Sequence, residues 1–156
     1  MLYHLFSFMG SMVSALISLG IYIITAYAFY KVAKLRGLPN AWLAFIPIFQ
    51  LYIIGSIADT MKYNHYRINH YISDIPLAYA LPLLSLASGL LGALPLIGGI
   101  LAVLVELVLW GAQLLVYYFV FSLYGEPKDV NFFTILSVIP FVGPCLMLYV
   151  LRDRSC

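Results

Sequence analysis

Three features of the sequence predict an all-α, polytopic integral membrane fold. The first is composition: 64% of the 156 residues are hydrophobic and 9% are charged, with a mean hydropathy of +1.02. A soluble domain carries about a quarter charged residues, so this chain has too few charges to solvate the outside of a globule. The second is a set of long apolar runs without a charge. The third is a pair of apolar segments broken by proline near the middle, with every Lys and Arg placed beside one of them: Ala41 to Ile57 around Ile46-Pro47, and Phe132 to Leu151 around Ile139-Pro140. The expected architecture is three spanning helices plus two proline-broken re-entrant or short helical segments. Five transmembrane helices is the alternative. One transmembrane domain over residues 1–156 is expected at this length.

The first element is the run Leu5 to Tyr30, which carries no charge and reaches about 39 Å as a helix, enough to cross a hydrocarbon core with tilt. It has no basic residue ahead of it and is longer than the apolar part of a cleavable signal, so it reads as a retained anchor. Gly10, Ser14 and Ser18 form a small-residue stripe of the kind that lets another helix approach, and intramolecular packing is its expected use. Tyr22, Tyr27 and Tyr30 read as interfacial anchors.

Gly37-Leu38-Pro39-Asn40 is a turn, because Gly and Pro punctuate helices. Ala41 to Ile57 follows and reaches about 25 Å if wholly helical, short for a span. Pro47 removes a backbone donor and kinks any helix there. Asp59 to Asp74 is the polar stretch. It places Met61, His65, Ile68 and Ile72 at helical spacing, with Lys62, Tyr66 and Asn69 away from them, and Asp59 suited to cap its start. That pattern predicts a short amphipathic helix on the membrane surface. Ile75 to Ala93 is the next expected span, with Pro76 in its first turn and Pro82 as a kink. A charge-free turn, Gly92 to Gly99, leads to the longest apolar run, Pro95 to Tyr124. Glu126, Lys128 and Asp129 mark a polar turn before the second broken segment.

Charge placement discriminates between the topologies. If the broken segments do not cross, all eight basic residues (Lys31, Lys34, Arg36, Lys62, Arg67, Lys128, Arg152, Arg154) lie on one side. If every segment crosses, Lys62, Arg67 and Lys128 fall outside. The first arrangement obeys the positive-inside rule better, with the N-terminus outside and the C-terminus cytoplasmic. The order long helix, Gly/Pro turn, broken segment occurs twice, so an internal duplication of residues 5–59 and 95–153 in parallel orientation is expected. Such weak internal symmetry is common in transporters.

The stretch from Gly37 to Gln50 resembles the signature of a family of small bacterial membrane proteins of unknown function. In that family a lysine-rich helix end leads to Gly-x-Pro-Gly-Trp-Ala and then Ile-Pro-Ile-Tyr-Asn. Lys31, Lys34, Gly37, Pro39, Trp42, Ile46 and Pro47 match in kind. Gln50 stands where the family often has Asn, and Asn40-Ala41 replaces a single Gly, making the turn one residue longer. The similarity covers Lys31 to Asp59, with a fainter echo at Phe132 to Arg152. It implies a bacterial inner-membrane protein and supplies no activity.

Glu106 is the foremost candidate site residue, because a carboxyl group inside Val103-Leu104-Val105-Glu106-Leu107-Val108 is unfavourable in lipid by a few kcal/mol. Gln113, seven residues on, shares its helix face, Trp110 lies between them, and Gln50 could approach the same layer. The functional reading is a polar site for a cation, proton or small solute. The structural reading is a protonated Glu106 bonded to Gln50 or to a carbonyl freed by proline. Pro47, Pro140, Gly143 and Pro144 form the helix-breaking motif, which either shapes a pore lined by carbonyls or lets short helices turn within the bilayer.

His65 and His70 are five apart, whereas a helical metal pair needs three or four, and His4 is isolated. No zinc spacing, nucleophile elbow or His-Glu-x-x-His pair occurs, and Cys145 and Cys156 read as reduced thiols. No cofactor, metal or enzymatic activity is therefore expected, and no basic run of the kind that tracks nucleic-acid phosphates is present. The expected partners are the lipid bilayer and either another membrane protein or a copy of this chain. The first functional expectation is a non-catalytic accessory or scaffolding subunit in a bacterial cytoplasmic membrane. A small oligomeric channel or transporter with Glu106 in its pathway is the alternative, and a self-immunity protein against membrane-active peptides is a third.

Overall fold

The protein, a computed structural model, describes residues 2–62, 74–93, 98–139 and 141–154, with side chains from residue 10 onward. Six α-helices and one 3-10 helix form a bundle without strands among the described residues. In chain order they are α1 (Leu2–Leu35), the 3-10 helix (Ala41–Phe45), α2 (Pro47–Met61), α3 (Leu77–Gly92), α4 (Gly98–Tyr124), α5 (Val130–Leu136) and α6 (Val142–Val150). Gly10–Leu35 within α1 and the whole of α4 are long and apolar enough to cross a membrane. The helix from the expected span Ile75 to Ala93 is shorter. It runs for 16 residues because Pro76, with an extended ψ of 90°, stands just before its first turn.

α1 ends in a left-handed glycine cap. Gly37 has φ +66°, its N–H donates to the Lys34 carbonyl at 3.0 Å, and the Leu38 N–H donates to the Ala33 carbonyl at 3.0 Å. These are the paired bonds of a Schellman ending, which satisfies carbonyls that the helix leaves open. Asn40, also left-handed at φ 58°, completes the turn.

The first broken segment then doubles back along α1. Its bend meets α1 at Tyr22, whose hydroxyl donates to the Phe45 carbonyl at 2.8 Å. Its far end meets α1 at Arg36, whose guanidinium donates to the Thr60 carbonyl at 2.8 Å and the Thr60 hydroxyl at 3.3 Å. Those two positions on α1 are about 21 Å apart along the axis. Pro47 does not kink a helix. It occupies the first position of α2 after an extended Ile46 (φ −105°, ψ 122°), where a missing N–H leaves nothing unsatisfied.

α3 returns antiparallel to α2. Near the start of α3 the two helices touch closely: a Cβ placed on Gly55 would overlap the Leu77 carbonyl and lie 2.7 Å from the Ala78 Cα. Further along, the Tyr52 and Tyr79 rings meet at 5.9 Å. α4 runs antiparallel to α3, and after it the second broken segment also doubles back. Phe133 packs edge-on against Phe121 at 5.7 Å, Gly143 lies under the Tyr117 ring, and Arg154 returns over the Tyr124 ring at 5.8 Å. Pro144 is buried at the third position of α6, a first-turn place that proline tolerates. Pro140 lies outside the described residues.

The core lies toward the end where α1 and α4 finish. Phe29, Val32, Ile53, Ile57, Met61, Tyr117, Phe121, Met147 and Leu151 are buried there. Phe29, Tyr117 and Phe121 stack in series at 5.8 and 6.3 Å, joining α1 to α4. Among the described residues, the opposite ends of α1 and α4 carry mostly exposed side chains. Gly10, Ser14 and Ser18 are exposed, and no described residue approaches the Gly10 Cβ position within 4 Å, so the expected intramolecular packing of that stripe does not occur among the described residues. The reason is reach: the first broken segment turns back at Tyr22 and leaves the preceding part of α1 uncovered. The amphipathic helix expected over Asp59 to Asp74 falls mostly on residues outside the described set. Its proposed capping residue, Asp59, instead belongs to the last turns of α2.

The Gly55 contact predicts a position-specific effect. Gly55→Ala should destabilise the protein by about 1–3 kcal/mol, because backbone rather than a movable side chain opposes the new methyl. Gly89→Ala, on an exposed and open face of α3, should leave the thermal midpoint unchanged or raised. Thermal unfolding followed by circular dichroism in detergent reads both.

Candidate functional site: a polar pair on an open helix face and a polar latch at the basic end

α4 carries one carboxyl and one amide side chain in its apolar sequence, Glu106 and Gln113, and the structure gives them different neighbours. Glu106 is exposed, and its Oε1 accepts a hydrogen bond from the Ser88 hydroxyl of α3 at 3.1 Å. Ser88 itself is 6% exposed, so the bond ties a buried serine to a carboxylate at the rim. Glu106 shares an open recess of about 330 Å³ with Val103, Leu107 and Trp110. Its second carboxylate oxygen accepts nothing among the described residues.

Gln113 donates from Nε2 to the Tyr117 hydroxyl at 3.0 Å, within the aromatic series of the core. Gln50 on α2 is half-buried and makes no side-chain hydrogen bond among the described residues. Glu106, Gln113 and Gln50 therefore do not bond to one another as a single polar layer. The spacing of seven does keep Glu106 and Gln113 on one face of α4. What differs is the surroundings, because α1 and α6 close over Tyr117 while Ser88 of α3 is the polar neighbour at Glu106.

The sequence reading missed a second polar arrangement, where α1, α2 and α3 meet. The Asp59 carboxylate accepts the Leu77 N–H at 3.2 Å and the Ala78 N–H at 3.0 Å. These are first-turn donors of α3 that have no partner within the helix, so a side chain from another helix caps it. Lys62 pairs with Asp59 at 3.0 Å and donates to the Ile75 carbonyl at 3.1 Å, and it is 4% exposed. The spacing of three between Asp59 and Lys62 on a helix was the available signal. The capping of α3 by Asp59 had none, since it joins residues eighteen or more apart in the chain.

Basic residues elsewhere at this end act on backbone as well. Lys31 donates to the Leu151 carbonyl at the end of α6, and Arg36 to Thr60 near the end of α2. Cations at helix C-termini are favoured by the exposed carbonyls and the helix dipole. Beyond them, a cleft of about 250 Å³ is lined by Glu126, Asp129, Tyr149, Arg152 and Asp153, among others. Lys128 bonds to Glu126 at 2.8 Å and holds its carboxyl below the usual range by that hydrogen bond and by charge, while Glu126 raises Lys128 in return. The Glu126 contribution is thus present above the ordinary carboxylate range and is lost as pH falls through its lowered value.

No group of three or more His, Cys, Asp or Glu suited to a metal occurs among the described residues. His65 and His70 lie outside them, as does the side chain of His4. Cys145 is a free, half-buried thiol. No protein-family model matches the chain, and no curated protein or solved structure is significantly similar to it.

Two variants test the polar arrangements. Asp59→Ala removes two charge-assisted bonds to the α3 backbone and the ion pair with the buried Lys62, and should destabilise the protein by about 3 kcal/mol in denaturant unfolding. Lys128→Ala should return Glu126 to an ordinary carboxylate titration, followed by carbon NMR across pH, with only a small loss of stability because the pair is solvent-exposed.

Proposed function

We propose that this is a small, non-catalytic, multi-pass membrane protein that works by lateral association, as an accessory or scaffolding subunit beside another membrane protein or a copy of itself. The observation that carries the reading is Glu106, an exposed carboxyl group on the open face of a 27-residue apolar helix, with one oxygen lacking a partner among the described residues. In lipid such a group is unfavourable and marks a place where protein or water is expected to cover the helix. Val103, Leu107 and Val108 around it are 57–59% exposed, so the covering surface is apolar apart from the carboxyl.

Three spans with two re-entrant hairpins belong to the same proposal. It is supported by the return of each broken segment to the end from which it started, where Lys31, Arg36, Lys62, Lys128, Arg152 and Arg154 gather. The positive-inside rule places that end in the cytoplasm and the N-terminus outside. α3 reaches about 24 Å, short of a hydrocarbon core of about 30 Å by an amount that local thinning of the bilayer accommodates. The bacterial cytoplasmic membrane is proposed from the Gly37–Pro47 signature. A duplication of 5–59 and 95–153 is supported by the repeated order of long helix, turn and doubled-back segment.

The transport reading has less support, because Glu106 and Gln113 have separate partners within one copy and a pathway at Glu106 would need several copies around it.

Two measurements test the proposal. With Cys145 and Cys156 changed to Ser, a single cysteine at Leu94 should react with an impermeant thiol reagent in intact cells, and ones at Tyr63 and Lys128 should not. Labelling at Tyr63 and Lys128 would mean five spans instead. A photo-crosslinking residue at Leu107 should give a discrete adduct in native membranes, whereas one at the buried Val116 should give none. Absence of any adduct at Leu107 would remove the lateral-association reading.

A further inference from the structure

The open face of α4 carries a hydrogen-bond donor beside its acceptor. Trp110 stands one turn after Glu106, lines the same recess and is 39% exposed. Its indole N–H has no hydrogen-bond acceptor among the described residues, and Glu106 has one carboxylate oxygen without a donor. Buried indole N–H groups ordinarily find a partner, so both groups would be unsatisfied in lipid.

A helical side chain covers the surface over the turn that precedes it. The Trp110 indole therefore reaches toward the level of Glu106 rather than away from it. Two copies inserted in the same orientation are related by a two-fold axis along the membrane normal, which sets their α4 helices side by side and parallel. In such an isologous contact residue i meets residue j and j meets i. Glu106 leans the same way, but the indole is the longer side chain, so it spans the offset of about 6 Å along the axis and the donor on each copy comes within reach of the acceptor on the other. Val103 and Leu107 supply the apolar contact around the two bonds, and Gly111, with nothing within 4 Å of its Cβ position, leaves room for the helices to approach.

We propose that a second copy of this chain occupies the open face of α4, with the Trp110 indole N–H of each copy donating to the Glu106 carboxyl of the other. This rests on the lateral-association reading and names the partner in it.

The test uses the full chain in lipid vesicles, with dimerisation read by energy transfer between labelled copies as the lipid-to-protein ratio is raised. The unmodified chain should dimerise. Trp110→Phe keeps an aromatic ring and removes the N–H, and it should weaken dimerisation about tenfold, as should Glu106→Leu, which removes the acceptor. Leu83→Ala, on the exposed face of α3, should leave it unchanged. A chain that stays monomeric at every ratio, or two variants that dimerise as well as the original, would overturn the pairing.

Cross-linking gives a readout with Glu106 and Trp110 intact. Val103→Cys in a background with Cys145 and Cys156 changed to Ser should form a disulfide adduct at twice the 17.5 kDa chain mass, and Leu83→Cys should form none. A Leu107 adduct of some other mass, together with a monomeric purified chain, would overturn the second-copy inference while leaving lateral association standing.

Discussion

A backbone broken by proline inside an apolar bundle must still have its peptide groups satisfied, and side chains from other elements meet that need here. The Phe45 carbonyl at the first break accepts from Tyr22, the Thr60 carbonyl from Arg36, the Ile75 carbonyl from Lys62 and the Leu151 carbonyl from Lys31. The first N–H groups of α3 donate to Asp59. Unmet backbone groups are tolerated poorly away from water, so these bonds determine where each short helix can begin and end. Basic residues that a topology argument treats as markers of one membrane face are, in the folded chain, also the groups that close helix ends.

That constraint organises the packing. Because the first broken segment is tied to α1 at both Tyr22 and Arg36, it lies along α1 as a hairpin, and α3 is brought against α2 at Gly55. Because the second is tied to Lys31 and lies under Tyr117, it packs between the ends of α1 and α4. The core therefore forms toward the basic end, around Phe29, Tyr117 and Phe121. The hairpins do not reach the rest of α1 and α4, so Gly10 to Leu19 and the turns around Glu106 keep open faces. The proposed association uses a surface that the hairpins leave uncovered.

Several local features were legible in the sequence because their causes are local. Gly37 ends α1, each proline break falls between two short helical pieces, and the length and apolarity of α1 and α4 follow from uninterrupted runs. Glu106 was legible as a candidate because a lone carboxyl in such a run is conspicuous in one dimension. The capping of α3 by Asp59 and of the α6 end by Lys31 was not legible, because each joins groups far apart in the chain with no pattern in either partner. The role of Tyr22 was concealed for a related reason: a tyrosine near a helix end has an interfacial explanation, and its acceptor lies in another segment.

The sequence by itself determined the helical class, the break points and the gathering of basic residues beside the broken segments, since chain stiffness, proline geometry and hydropathy act over a few neighbouring residues. The tertiary structure decided which face of each helix is covered. Glu106 and Gln113 occupy one face by helical period, yet one reaches the open surface and the other bonds into the aromatic core. That difference depends on how far the hairpins extend along α1 and α4, a distance set by which carbonyls Tyr22, Arg36 and Lys31 can reach.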